Sequence, residues 1–189
     1  MTLFEFLSVA ISIVLALSAA QLLGNLREVF DPPRRYWVHA LWVVHLLLVH
    51  VISSWGLWAY RDLESWNLGL FALFLVIPGL IFVCSNALVA PRHGNVASWE
   101  QHFFSVRKWF FVARGLISVV SALRSWLLLG VPMLDLWRLP SLLMLILCVV
   151  GFASTSRRVH GVIVVIGMIR LILGTGYLWF QPGVLGPSQ

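Results

Sequence analysis

Arg170 stands inside an apolar stretch, with about ten uncharged residues on either side. An arginine at the centre of a membrane helix costs at least about 2.5–3.5 kcal/mol on insertion scales, so its guanidinium needs a partner. Arg114 interrupts a second apolar stretch in the same way. Seven acids stand against thirteen lysines and arginines, and Glu5 alone among the acids lies near the interior of an apolar run. Arg170 and Arg114 therefore outnumber the acids that could meet them. They either bond backbone carbonyls and neutral side chains or hold an anion from outside the chain. The planar guanidinium fork suits phosphate and carboxylate.

Three further residues extend this pattern. His39 and His50 are eleven residues apart, three helical turns, and share one face of their segment, while His45 points elsewhere. They suit an interhelical hydrogen bond, a proton relay or a ligand contact. Ser118 follows Arg114 by one turn, and Arg107, Arg114, Ser118, Ser121 and Ser125 fall on one narrow arc at 100° per residue. Gly167 and Gly174 flank Arg170 on its own face, which lets a neighbouring helix approach closely.

Other chemistry has weaker support. His39, His93, His102 and His160 fall at one depth, but no HxxxH or ExxH pair occurs among them, so a metal or haem site is a minor reading. No cofactor is identified. Cys84 and Cys148 each sit inside an apolar run and read as small buried hydrophobes. The only lysine, Lys108, begins a run rather than sitting deep in one, which sets aside a Schiff-base cofactor. No GxSxG, HExxH, Walker or paired-carboxylate pattern appears, so the chain leans away from an enzyme.

The elements that position these residues are written in the composition. The chain has 189 residues, 60% hydrophobic and 11% charged, against roughly 25% charged in a soluble domain. Indole and phenol rings settle where hydrocarbon meets headgroups, and Trp37, Trp42, Trp55, Trp58, Trp66, Trp109 and Trp126 lie toward the ends of apolar runs. A spanning helix needs about 20 apolar residues. The pattern predicts an all-α membrane protein, a single domain of six transmembrane helices at about 6–26, 36–60, 66–90, 103–129, 139–154 and 159–180. The first is read as a retained anchor, since no basic region precedes it and Glu5 does. Val96 to Phe111 mixes aromatic and charged residues and reads equally as an interfacial helix or as an ordinary span entry.

Basic residues set the orientation. Arg27, Arg34, Arg35, Arg92, Arg107, Lys108, Arg157 and Arg158 lie on one side, and Arg61 and Arg138 on the other. The positive-inside rule places the first group in the cytoplasm and both termini outside. The net charge of +6 is mostly this topology signal, and no solvated basic domain exists to bind nucleic acid.

Two patterns concern packing. Ser8, Ser12, Ala16 and Ala20 recur every four residues and predict a close helix–helix contact. Phe6, Ser8, Val9, Ala16, Leu26 and Arg27 recur as Phe103, Ser105, Val106, Ala113, Leu123 and Arg124, an offset that suggests two inverted three-helix halves. In size and hydropathy the chain resembles small multi-pass proteins of the bacterial inner membrane, a likeness that carries over no residue roles.

The leading functional expectation is a small transporter or channel-like protein for an anion or acidic small molecule. Arg170, Arg114, His50, His39 and Ser118 would line its path. A structural or accessory subunit without transport is the alternative, and a redox protein binding haem or quinone is a third. The expected partners are the lipid bilayer and either a second copy of the chain or another membrane subunit.

Overall fold

The computed structural model describes residues 2–63, 65–90, 96–132 and 139–180, the side chains of 177–180 excepted. Arg92, His93, Asp135, Trp137, Arg138 and the polar tail 181–189 lie outside the described residues. So do the side chains of Tyr177 and Trp179.

Six α-helices account for the fold, and the described residues form no strand. They are α1 (Leu3–Val29), α2 (Trp37–Gly56), α3 (Leu68–Leu88), α4 (Trp99–Leu129), α5 (Leu139–Ala153) and α6 (Arg157–Phe180). One 3₁₀ turn, Leu57–Tyr60, extends α2. Five of the six are long and apolar enough to cross a membrane, and α5 is shorter at 15 residues. The segmentation follows local chemistry. Thr2 and Glu5 form a reciprocal capping box at the start of α1. Asn67 and Ser98 accept backbone N–H bonds at the starts of α3 and α4. Gly130 ends α4 with φ +64°, a left-handed conformation that glycine adopts without a Cβ clash. At 31 residues α4 is about 46 Å long, well beyond a hydrocarbon core of about 30 Å. It begins at Trp99, one turn before the expected Phe103, so its first turns extend the span as a continuous helix.

The helices close into a ring. α1 packs on α3, α3 on α4, α4 on α5, α5 on α6, α6 on α2, and α2 returns to α1. α2 also touches α3 and α4, which makes it the most enclosed helix. The two halves of the chain pack differently: α1 lies along α3, whereas α4 and α6 scarcely touch. At Gly151 a Cβ would fall 2.5 Å from the Phe111 ring, so this glycine is what allows α5 to lie against α4.

The outside of the ring is apolar. Val9, Ile13 and Leu17 on α1, Ile146 and Val149 on α5, and Ile172 and Leu173 on α6 are all more than half exposed. Water would not tolerate so continuous an apolar surface, and hydrocarbon does. Trp37, Trp55, Trp58, Trp109 and Trp126 are also exposed. Trp42 and Trp99 are not: both are fully buried and belong to the core.

The row Ser8, Ser12, Ala16 and Ala20 faces largely away from this chain's own helices. Ser12, Ala16 and Ala20 are exposed, and Ser8 is half-buried with its hydroxyl donating to the Phe4 carbonyl. The inward face of α1 is instead Leu7, Ile11, Leu15, Ser18 and Leu22. Burying large side chains removes more apolar area than burying small ones, so the leucine face turns inward.

Candidate functional site: an unpartnered cationic core

Three helices bring polar side chains together at mid-depth. Trp42 and His45, three residues apart, project from the same side of α2. Arg114 occupies the midpoint of α4, and Arg170 is fourteenth of the 24 residues of α6. Gly167 sits one turn before Arg170. A Cβ there would lie 3.6 Å from the Trp42 ring and 3.9 Å from His45 Nε2, so the glycine lets α2 close on α6. Arg170 is within electrostatic reach of Arg114, and His45 of both. Cys148 of α5 lies in the same neighbourhood, and Cys84 of α3 beside Arg114.

Arg114, Trp42 and His45 are buried, and Arg170 is half-buried. Arg114 is 4% exposed, and Trp42 and His45 are fully enclosed. Trp42 Nε1, both ring nitrogens of His45, Arg114 Nε and Arg170 Nε are inaccessible to solvent and make no hydrogen bond. No carboxylate pairs with either guanidinium among the described residues. Ser118, one turn along α4 from Arg114, is buried as well. The orphaned groups are almost all donors: an indole N–H, two guanidinium N–H groups and one nitrogen of a neutral imidazole. A buried donor left unmade forfeits about 1–3 kcal/mol, and a charged one more. Two like charges at close range in a low dielectric add repulsion. The arrangement has the electrostatics of a receptor for negative charge.

The other arginines of α4 are satisfied. Arg107 donates from Nε to the Ser154 carbonyl at 3.2 Å and from Nη1 to the Phe104 carbonyl at 2.7 Å. Arg124 donates to Tyr60 Oη at 3.2 Å and lies over the Tyr60 and Phe74 rings at 4.6 and 4.9 Å.

The two histidines expected to line a path lie in separate environments. His50 Nδ1 is 2.7 Å from the Leu46 carbonyl, and Nε2 is 2.8 Å from Ser18 Oγ. A carbonyl only accepts, so Nδ1 carries the proton and Nε2 receives that of Ser18. Ser18 Oγ is 2.9 Å from Ser85 Oγ, which then donates to it. Helices α1, α2 and α3 are joined by this chain of bonds. His39 stacks on Trp99 with centroids 4.7 Å apart and meets His102 at 5.8 Å, at the end of the bundle carrying the 30–36 connection. There Trp99 Nε1 donates to the Glu28 carbonyl at 2.7 Å, and Glu100 pairs with Arg157. His160 is held among Phe103, Phe104 and Phe111. No cluster of three His, Cys, Asp or Glu side chains among the described residues is placed to hold a metal.

The structure thus groups Arg170 with Arg114 and adds His45 and Trp42 in place of His50 and His39. The three-residue spacing of Trp42 and His45 was visible in the sequence. Eleven-residue spacing favoured the other pair, and Trp42 resembled an interface tryptophan. No protein-family model, curated protein or solved structure matches the chain significantly, so the site's chemistry rests on its own geometry.

Proposed function

We propose that the chain is a multi-pass protein of the bacterial inner membrane that takes an anion or acidic small molecule into its core, as a small transporter or channel-like protein. One observation carries this reading: Arg114, at the midpoint of α4, is buried within electrostatic reach of Arg170, and among the described residues no acid pairs with either guanidinium and neither Nε finds an acceptor. Arg114 and Arg170 bind the anion, Trp42 and His45 add N–H donors, and Ser118 adds a hydroxyl. The apolar outward residues of α5, among them Leu142, Ile146 and Val149, support α5 as the sixth crossing.

The test is thermal stability of the purified protein in phosphate, sulfate and small carboxylates. An anion at 100 times its Kd stabilises the wild type by about 2.7 kcal/mol. Arg114→Met and Arg170→Met are expected to abolish that gain. Equal gains in wild type and variants, or none in either, would reject the site. Flux of the stabilising anion into proteoliposomes then separates transport from binding alone.

The same reading places both termini outside and the loops at Arg34, Arg92 and Arg158 in the cytoplasm. In a chain lacking Cys84 and Cys148, Ser188→Cys should label from outside intact cells and Gly94→Cys should not. The reverse pattern overturns the orientation.

The exposed row Ser12, Ala16 and Ala20 favours a second reading, an accessory subunit that docks another membrane helix there. Retention of a partner in mild detergent, lost on Ala16→Phe, would support it.

A further inference from the structure

A groove of about 280 Å³ runs along the seam of α4 and α5 on the outside of the ring. Gly115 and Cys148, both buried, form its floor. Val112 and Leu116 on α4 and Val149 and Phe152 on α5 are its exposed walls. Gly115 creates the space. A Cβ there would lie 3.5 Å from Leu145 Cδ1 and 3.6 Å from Cys148 Cβ, so a side chain longer than alanine's would fill the groove.

The lining decides what the groove can hold. Its side chains are hydrocarbon apart from the Cys148 thiol, so water lacks the two to four polar partners it needs there. Left empty, the groove would forfeit the dispersion contacts of its walls. From Phe111 to Val119 it follows about 12 Å of α4, parallel to the helices that cross the bilayer. An acyl chain lies in that direction and offers only hydrocarbon.

The charge at one end of the groove selects the headgroup. Lys108 precedes Val112 by four residues and Leu116 by eight, so it continues the same stripe of α4 by one turn. Its Nζ stands 5.7 Å from the centre of the Phe152 ring, over one wall of the groove. Arg107 beside it donates to the Ser154 carbonyl, just past the end of α5 at Ala153, so Lys108 is level with the end of a spanning helix and with lipid headgroups. Lys108 is exposed, and among the described residues no carboxylate pairs with it. The other charged residues of α4 and α6 at this end are Arg107, Arg157, Arg158 and Glu100, and Glu100 is taken by Arg157. We infer that the α4/α5 groove holds an acyl chain of an anionic phospholipid whose headgroup meets Lys108. The site is separate from the arginine core and does not depend on transport.

Thermal stability of the full chain in detergent tests this, with phosphatidylglycerol and phosphatidylcholine of identical acyl chains titrated in parallel. The first carries a net negative charge and the second none. The expected result is binding of phosphatidylglycerol about fivefold tighter than phosphatidylcholine, the effect of one basic side chain at a charged headgroup. Lys108→Gln should bring the two lipids to equal affinity, and Lys108→Arg should keep the preference. Lys108 is exposed, so neither change disturbs helix packing. Val149→Trp, which places a ring in the groove from an exposed position, should remove stabilisation by phosphatidylglycerol. Arg114→Met should leave the lipid response unchanged. Equal affinity for both lipids in the wild type, no stabilisation by either, or a preference that survives Lys108→Gln would overturn the inference. Loss of the preference in Arg114→Met would move the lipid to the arginine core and overturn it as well. A dimer that Val149→Trp dissociates, with no lipid preference, would assign the groove to a second copy of the chain instead.

Discussion

Two of the buried polar groups in this bundle differ in one respect. The Ser85, Ser18, His50 and Leu46 chain joins α3, α1 and α2, and every donor in it finds an acceptor. The Trp42, His45, Arg114 and Arg170 group joins α2, α4 and α6, and its indole, imidazole and Nε nitrogens find none. Both contain a histidine of α2, five residues apart. A polar network inside a membrane protein that closes on itself is structural, because its members need nothing further. One that remains open, and carries two positive charges, is where the proposed anion would bind.

The largest expected loss of stability separates the two directly. His50→Leu removes the acceptor of the Ser18 hydroxyl and leaves the Ser18–Ser85 pair one acceptor short in the α1/α2/α3 seam, which should cost about 1–3 kcal/mol of stability, read as a lower thermal midpoint. His45→Leu removes two nitrogens that bond nothing, and should change stability by less than about 1.5 kcal/mol in the absence of anions, with a similar volume retained. Equal losses in the two variants would erase the distinction between a closed and an open network. Arg114→Met sharpens it further. Measured without anion, the variant should be as stable as the wild type or up to about 1–4 kcal/mol more stable, by analogy with buried ions replaced by apolar residues. A strong loss would mean that Arg114 has a structural partner. The smallest effect belongs to the face of α1 turned away from both networks. Ala16→Leu should shift stability by no more than about 0.5 kcal/mol, since Ala16 is exposed. A loss typical of overpacking, about 1–3 kcal/mol, would place that row in an interface between chains.

Most of the helices could be placed by length and hydropathy alone. Expected spans at 36–60 and 66–90 became Trp37–Tyr60 and Leu68–Leu88, because Asn67 and the apolar run fix where a helix can begin. The direction each helix faces was much less legible. On α1 a row of small residues and a row of leucines run side by side, and both are apolar enough for either lipid or protein. A helix immersed in hydrocarbon has no polar face to mark its outside, so periodicity loses its meaning there. The same difficulty misplaced Trp42, whose buried indole looks in sequence like any interface tryptophan.

The sequence by itself determined that the chain is helical and apolar enough to cross a membrane. It also determined that Arg114 and Arg170 lack acidic partners nearby in the chain, since composition and counting suffice for both. Tertiary structure alone decided that the two arginines come within electrostatic reach of each other, that His45 lies in reach of both while His50 closes on Ser18, and that carboxamides from α1 and α3 share a cavity with His102. The reason is physical. Burial cost is a property of a residue and its immediate run, whereas a site is a property of which helix faces converge, and in an apolar medium that is set by packing between helices.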